Sequence, residues 1–353
     1  MTSLSSPKCI PEAADMKAMV LESTGSIDDA DRLVLQDRPE PAPSEDELKI
    51  RVTACGVCRT DLHIIEDDLT PPSLPLTPGH QIVGEVVETG DGCDRFTVGD
   101  RVGVAWLRSV DGTCRFCRRG RENLCPESRY TGYHADGGYA EYTTVTEDFA
   151  YALPDAFDDD AVATPLLCAG LIGYRALERT DIVDGGTLLM VGFGSSAHMI
   201  APIARHRGLR LLVVTRSESH QQLARNLGAA WAGDDFERLP QKADAAIHFA
   251  PVGDLVPPIM ASLDRAGVLA IAGIHLTDIP PLDYQDHLFQ EREIRTVTAN
   301  TREDARNLLI EAAKADVQPH ITRYPLEQAN EALRDMKASR IDGTAVLDLS
   351  SGT

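Results

Sequence analysis

The 353-residue sequence holds no run of about 18 apolar residues, so no helix is expected to cross a membrane. Its first residues, MTSLSSPKCIPEAADMK, lack the basic n-region and apolar h-region of a secretory signal. Residues 1–16, with their Ser, Pro and Ala, are expected to form a flexible tail. Basic charge is scarce. Lys and Arg number 34 against 55 Asp and Glu, for a formal net charge of −21. Nucleic-acid backbones and anionic membranes would be repelled, so neither is an expected partner. The acids are spread along the chain, as in Asp158-Asp159-Asp160 and Asp234-Asp235, and read as a self-repelling surface. No internal repeat and no low-complexity segment interrupts the chain. Without an export signal, the eight cysteines are expected to stay reduced in a cytoplasmic protein. Their clustering then points to metal sites rather than disulfides.

What is present begins with Thr53–His63, TACGVCRTDLH. Two thiols, two hydroxyls, a carboxylate and an imidazole lie within this one stretch. Cys58 offers a thiolate, Asp61 a group to orient a ligand, and Thr60 and His63 a route for a proton. His80, in Pro78-Gly79-His80-Gln81, and the distant Cys168 complete a Cys, His, Cys set. That is the donor set of a catalytic zinc with an open fourth position. Any one of these residues alone reads as a buried thiol or a solvated imidazole; together they read as a site. A second set, Asp111, Cys114, Cys117 and Cys125, has spacings of two, two and seven residues. It resembles a closed four-ligand structural zinc, with Asp in the first place. The plainer alternative is a metal-free or partly occupied lobe.

Length suggests about two domains. Met16–Leu21, Arg32–Leu35, Glu47–Thr53, Ile82–Glu88, a short strand near Val102, Tyr139–Thr144 and Ala150–Leu153 read as strands between Gly-rich turns. Pro39 to Pro43 reads as a rigid connector. These predict an antiparallel, barrel-like β domain over the first ~150 residues. Beyond Asp158 the pattern changes. Ala161–Leu177 is apolar at helical spacing, and the strands Thr187–Val191, Leu211–Val214, Ala243–His248 and Val268–Ile274 alternate with the helices Ser195–Arg207 and Glu218–Leu227. Alternation of this kind predicts a doubly wound parallel sheet. Helical patterns at Glu303–Ala315 and Leu326–Met336 and a strand at Gly343–Leu349 either extend that sheet or return to the first domain.

Gly192-Phe193-Gly194-Ser195-Ser196-Ala197 is a G-x-G-x-x-A turn between a strand and a helix, as dinucleotide sites require. The bland alternative is an ordinary strand-to-helix turn. At the end of the next strand stand Thr215 and Arg216, where NAD enzymes carry an acid for the ribose 2′-hydroxyl. A guanidinium there suits a 2′-phosphate and favours NADP over NAD, unless Arg216 is an ordinary surface residue.

Taken together, CGVCRTDLH, PGHQIVGEV, CRFCRRGRENLC, GYHADGGYAEY, PLLCAG and GFGSSAH resemble the zinc-dependent alcohol dehydrogenases of the medium-chain dehydrogenase/reductase superfamily, nearest the bacterial propanol-preferring branch. The resemblance runs over almost the whole chain after residue 16. It implies an α/β architecture with a GroES-like β-barrel catalytic domain, residues 17–166 and 303–353, around a Rossmann dinucleotide domain, residues 167–302. It implies catalytic zinc on Cys58, His80 and Cys168, and a proton path from Thr60 to His63. Asp61 would orient the ligand shell, Arg59 would reach the cofactor pyrophosphate, and Leu69 and Trp106 would line the substrate pocket. Two Zn2+ per chain, a small alcohol or aldehyde substrate and a homodimer or homotetramer are also implied. Gln81 stands where much of the family has Glu, which makes the site more electropositive. Ala197 replaces the third glycine of the turn. Rival readings are a same-fold enzyme for a polyol, sugar or cinnamyl alcohol, and a non-catalytic redox-sensing nucleotide binder. The Thr60–His63 pair speaks against the sensor, and the metal set against a zinc-free quinone reductase.

Overall fold

A computed structural model of the chain describes residues 14–273, 275–341 and 343–350. Residues 1–13, most of the expected tail, lie outside the described residues, as does residue 274 at the end of the expected strand Val268–Ile274. The first half runs β1 (Asp15–Leu21), β2 (Leu33–Pro39), β3 (Glu47–Gly56), α1 (Arg59–Ile65), β4 (Gln81–Thr89), β5 (Arg101–Val104), β6 (Leu107–Ser109), β7 (Arg129–Tyr130), β8 (Tyr142–Thr146), β9 (Ala150–Ala152), α2 (Asp160–Ala163) and α3 (Ala169–Glu178). The second half runs β10 (Thr187–Val191), α4 (Ser195–His206), β11 (Arg210–Val214), α5 (Glu218–Asn226), β12 (Trp231–Gly233), β13 (Ala243–His248), α6 (Val256–Ser262), β14 (Leu263–Ile271), β15 (Glu293–Thr296), α7 (Arg302–Lys314), β16 (Ile321–Tyr324), α8 (Ala329–Lys337) and β17 (Thr344–Asp348).

The larger sheet is organised on β3. Its alternation buries Leu48, Ile50, Val52 and Ala54 while the intervening residues stay half-exposed. β3 pairs antiparallel with β4, β8 and β17, and β16 adds in parallel beyond β17. The C-terminal strands therefore complete the first sheet. The second sheet, in the order β12-β11-β10-β13-β14-β15, is parallel throughout. Its central strand β10 is buried along its whole length, as a strand covered on both faces must be. Helix α7 packs on this side: Leu308, Leu309 and Ala312 share a core with Leu171 of α3 and Ile200 of α4.

Several boundaries differ from the sequence reading, and four of the differences have a clear structural content. β2 runs through Pro39, which was expected to open a connector; it is the last residue of the strand, where its missing N–H costs no ladder bond. β8 starts at Tyr142 rather than Tyr139, because the Tyr139 amide donates to Pro78 and its carbonyl accepts from Met19. β14 starts at Leu263, earlier than the expected Val268. The apolar run Ala161–Leu177 is not one helix. It breaks into α2, a tight turn over Thr164–Leu167 containing Pro165, and α3, with Cys168 at the break.

Candidate metal and cofactor site

Three segments of the chain converge on one site. Cys58 follows β3, His80 precedes β4, and Cys168 occupies the break before α3. Cys58 is the N-cap of α1: its sulfur accepts the Thr60 amide at 3.5 Å, and the Asp61 carboxylate accepts the Cys58 amide at 2.8 Å. This is a capping box with sulfur in the usual hydroxyl's place, so the Cys-x-x-Asp spacing starts the helix and builds the site together. The Thr60 hydroxyl stands 3.6 Å from the Cys58 sulfur.

His80 is presented by a turn that only glycine permits. Gly79 has φ +98°, and a Cβ there would lie 2.4 Å from the Tyr139 ring. Asp61 is fully buried. One of its oxygens lies 3.2 Å from His80 Nδ1; the other accepts the Cys58 amide and, at 3.2 Å, the Tyr139 hydroxyl. With Nδ1 turned to a carboxylate, His80 keeps Nε2 for a ligand.

The sulfurs of Cys58 and Cys168 are 3.6 Å apart, and one donor atom from each of Cys58, His80 and Cys168 lies within 4.8 Å of the others. The Cys168 contact, opposed by burial and helped by His80, holds the Cys58 thiol well below its ordinary range. The same contact and burial hold Cys168 well above. Burial pulls His80 down, but Asp61 and Cys58 outweigh it and push the ring up to about 10. Two sulfurs and a ring nitrogen backed by a buried carboxylate fit zinc with an open position.

Asp111, Cys114, Cys117 and Cys125 also come within 4.8 Å of one another. The amides of Cys114 and Thr113 donate to Asp111 at 2.9 and 2.8 Å and lower its carboxyl to about 2. The group is a carboxylate at neutral pH, and its donor chemistry with three thiols fits a second zinc.

An aromatic wall rises beside His80. Trp106 meets the imidazole edge-on at 5.0 Å and stacks on Tyr130 at 4.8 Å, with Tyr133 at 5.8 Å. Leu69, whose amide donates to the His63 carbonyl, is half-buried in the same cluster. His63 is one-third exposed and contacts Asp68 at 2.9 Å through Nδ1.

The nucleotide turn sits at the carboxyl end of β10. Gly192 has φ +84°, and a Cβ on Gly194 would meet no atom within 4 Å, leaving open space before α4. Among the described residues no side chain caps that helix N-terminus, so its amides face the space where a pyrophosphate would sit. This fits a dinucleotide. The Ser195 hydroxyl lies 3.2 Å from that of Thr344 on β17, and Ala197 is buried in the core. Thr215 is buried at the neighbouring strand end, where the Gly192 amide donates to Val214. Arg216 is exposed at the same end, and Arg59 is exposed at the first turn of α1. The expected residues thus gather mainly at three places, two clusters of metal donors and the turn at the carboxyl end of β10. Tyr139 and Asp68 were missed by sequence reading. The glycines before Tyr139 were a signal: a Cβ on Gly137 would strike Gly79, and one on Gly138 would strike Ile82.

A model of the alcohol dehydrogenase GroES-like domain matches residues 44–155. Over 314 residues, 88% of this chain and 90% of the relative, the sequence is 56% identical to a Mycobacterium tuberculosis protein described as "Probable alcohol dehydrogenase AdhA". It is 35% identical to an alcohol dehydrogenase of Geobacillus stearothermophilus, covering 90% of this chain and 96% of that one. A Sinorhizobium meliloti 1021 protein described as "a putative zinc-binding dehydrogenase" and solved with NADP is 26% identical, with a TM-score of 0.83 over 95% of this chain and 99% of that one. An acetophenone reductase of Geotrichum candidum solved with NAD is 25% identical, with a TM-score of 0.82 over 98% and 99%.

Proposed function

The chain belongs to the zinc-dependent alcohol dehydrogenases of the medium-chain dehydrogenase/reductase superfamily, and from that premise we propose that it interconverts primary alcohols and aldehydes with NADP(H) as its preferred cofactor. Cys58, His80 and Cys168 hold the catalytic zinc, and Asp111, Cys114, Cys117 and Cys125 hold a second. The observation that carries the reading is the gathering of three donor atoms, from residues 22 to 110 positions apart, within 4.8 Å. When bound, the zinc supplies a Lewis acid and the nicotinamide a hydride donor or acceptor.

The chain's own residues do the rest. Thr60, beside the Cys58 sulfur, takes the alcohol proton. His63, one helical turn on and one-third exposed, passes it to solvent, with Asp68 orienting its ring. Asp61 fixes the tautomer of His80. Trp106, with Tyr130 and Tyr133 behind it, and Leu69 exclude water and favour small aliphatic or aromatic substrates. The amides before α4 and Arg59 take the pyrophosphate, and Arg216, with no acid between it and Glu218, takes a ribose 2′-phosphate.

We take residues 17–166 and 303–353 as the catalytic domain and 167–302 as the nucleotide domain. Support comes from β16 and β17 in the first sheet; α7, which packs on α3, is where the two domains share a core. The enzyme acts in the cytoplasm as a homodimer or homotetramer. The test is a spectrophotometric screen of alcohols and aldehydes with NADP and NAD, with and without a chelator. Turnover confined to NAD would overturn the Arg216 reading, and activity untouched by full zinc removal would overturn the metal reading.

A further inference from the structure

The cysteine lobe is tied, by the residues between its third and fourth candidate ligands, to the turn between β15 and α7. Glu122 and Asn123 lie in the tight turn Glu122–Leu124, just before Cys125, and both are buried. The Asn123 side-chain Nδ2 donates to the Thr298 carbonyl at 2.7 Å. A Glu122 carboxylate oxygen accepts the Arg302 amide at 3.0 Å and its guanidinium at 3.3 Å. These contacts span 175 and 180 residues. Arg302 is held further by Asp148 at 2.6 Å and by the Phe149 ring at 5.1 Å.

The segment so gripped leaves the carboxyl end of β15 and enters α7. In doubly wound sheets the ligand lies outside the carboxyl ends of the strands. The Val297 amide still donates to Ile271 at the end of β14, which places this turn at that edge. Between the two grips stands Ala299 at φ +48°, a left-handed backbone that a residue with a Cβ adopts only under constraint. Asn300, beside it, is buried, and Thr301 caps α7 through Asp304.

We propose that the lobe is a strut for the cofactor crevice: Glu122 and Asn123 are positioning residues that hold the 297–302 turn in its strained form. Metal in the lobe then sets cofactor affinity. This rests on the reading that the crevice takes a nicotinamide dinucleotide. The chain order explains the design. Cys117 and Cys125 bracket Glu122 and Asn123, so metal fixes both ends of the piece that grips the turn.

The test uses the full-length protein carrying Asn123→Ala, and separately Glu122→Gln, which keeps an acceptor oxygen. Zinc content, NADPH dissociation constant by cofactor fluorescence, and amide exchange across 297–302 are read for each. The expected result is wild-type zinc content, with NADPH binding weakened at least about fivefold in Asn123→Ala, less in Glu122→Gln, and faster exchange in the turn. Adding Ala299→Gly to Asn123→Ala, which removes the left-handed penalty, recovers part of the affinity. Wild-type NADPH affinity in Asn123→Ala, or faster exchange confined to residues 111–125, would overturn the proposal. A wild-type enzyme that binds neither NADPH nor NADH would overturn the cofactor reading beneath it.

Discussion

Asp61 holds one carboxylate oxygen 3.2 Å from His80 Nδ1, and neither side chain reaches solvent. The same carboxylate closes the capping box of Cys58. One buried charge therefore aims two metal ligands that lie 22 residues apart in the sequence. Asp61→Asn keeps the volume and removes the charge. Zinc affinity, measured by competition with a chromophoric chelator, is expected to fall about 10- to 100-fold. Unchanged affinity would mean that the carboxylate does not orient the site.

Tyr139→Phe removes a side-chain hydroxyl that donates to Asp61. The buried carboxylate keeps its charge and loses a donor. A hydrogen bond to a charged group contributes about 1.5–3 kcal/mol. Urea unfolding of the zinc-loaded variant should show a loss within that range, with faster release of zinc to a chelator. Equal stability and equal release would remove Tyr139 from the site's support.

The metal-free site carries a definite pH dependence. His80 is raised from 6.5 to about 10, burial being outweighed by Asp61 and Cys58. A raised pKa stabilises the folded apo-protein fully below the unfolded value, and that contribution fades as pH rises through about 10. Zinc needs the neutral ring and so competes with this proton. Zinc affinity should therefore climb as pH rises from about 7 towards 10. Calorimetry in buffers of different ionisation enthalpy should show protons released on binding at pH 7. A pH-independent affinity would contradict this.

Arg216 is exposed at the strand end beside Thr215, and no ion pair engages it among the described residues. Arg216→Ala should lower kcat/KM for NADPH about tenfold or more and leave that for NADH near the wild-type value. An equal loss with both cofactors would make Arg216 a general surface charge instead of a 2′-phosphate partner.

Much of this site is legible in the sequence, because local spacing encodes it. Cys58-x-x-Asp61 is a helix start, Pro78-Gly79-His80 a forced turn, and the lobe cysteines are close in sequence. Cys168 is the instructive exception. Its surroundings read as one apolar helix, since periodicity registers only burial. The break at Pro165 and Cys168 serves a contact with a sulfur 110 residues away. Tyr139 escaped for the same reason: its ring lies against Gly79 and its hydroxyl reaches Asp61, neither of them a sequence neighbour. β3 and β8 follow the two-residue alternation, whereas β10 is buried throughout and shows only as a short apolar run. The return of β16 and β17 to the first sheet follows from the family resemblance and not from the strands themselves, because a strand's own residues do not say which sheet edge it joins.

The most direct measurement is zinc per chain in purified wild type and in Cys168→Ser, by elemental analysis, with alcohol oxidation assayed on the same samples. The wild type should hold two zinc ions, and the variant should lose one together with nearly all activity while the lobe zinc remains. A Cys168→Ser protein that keeps both ions and turns over at the wild-type rate would contradict the site described for this enzyme.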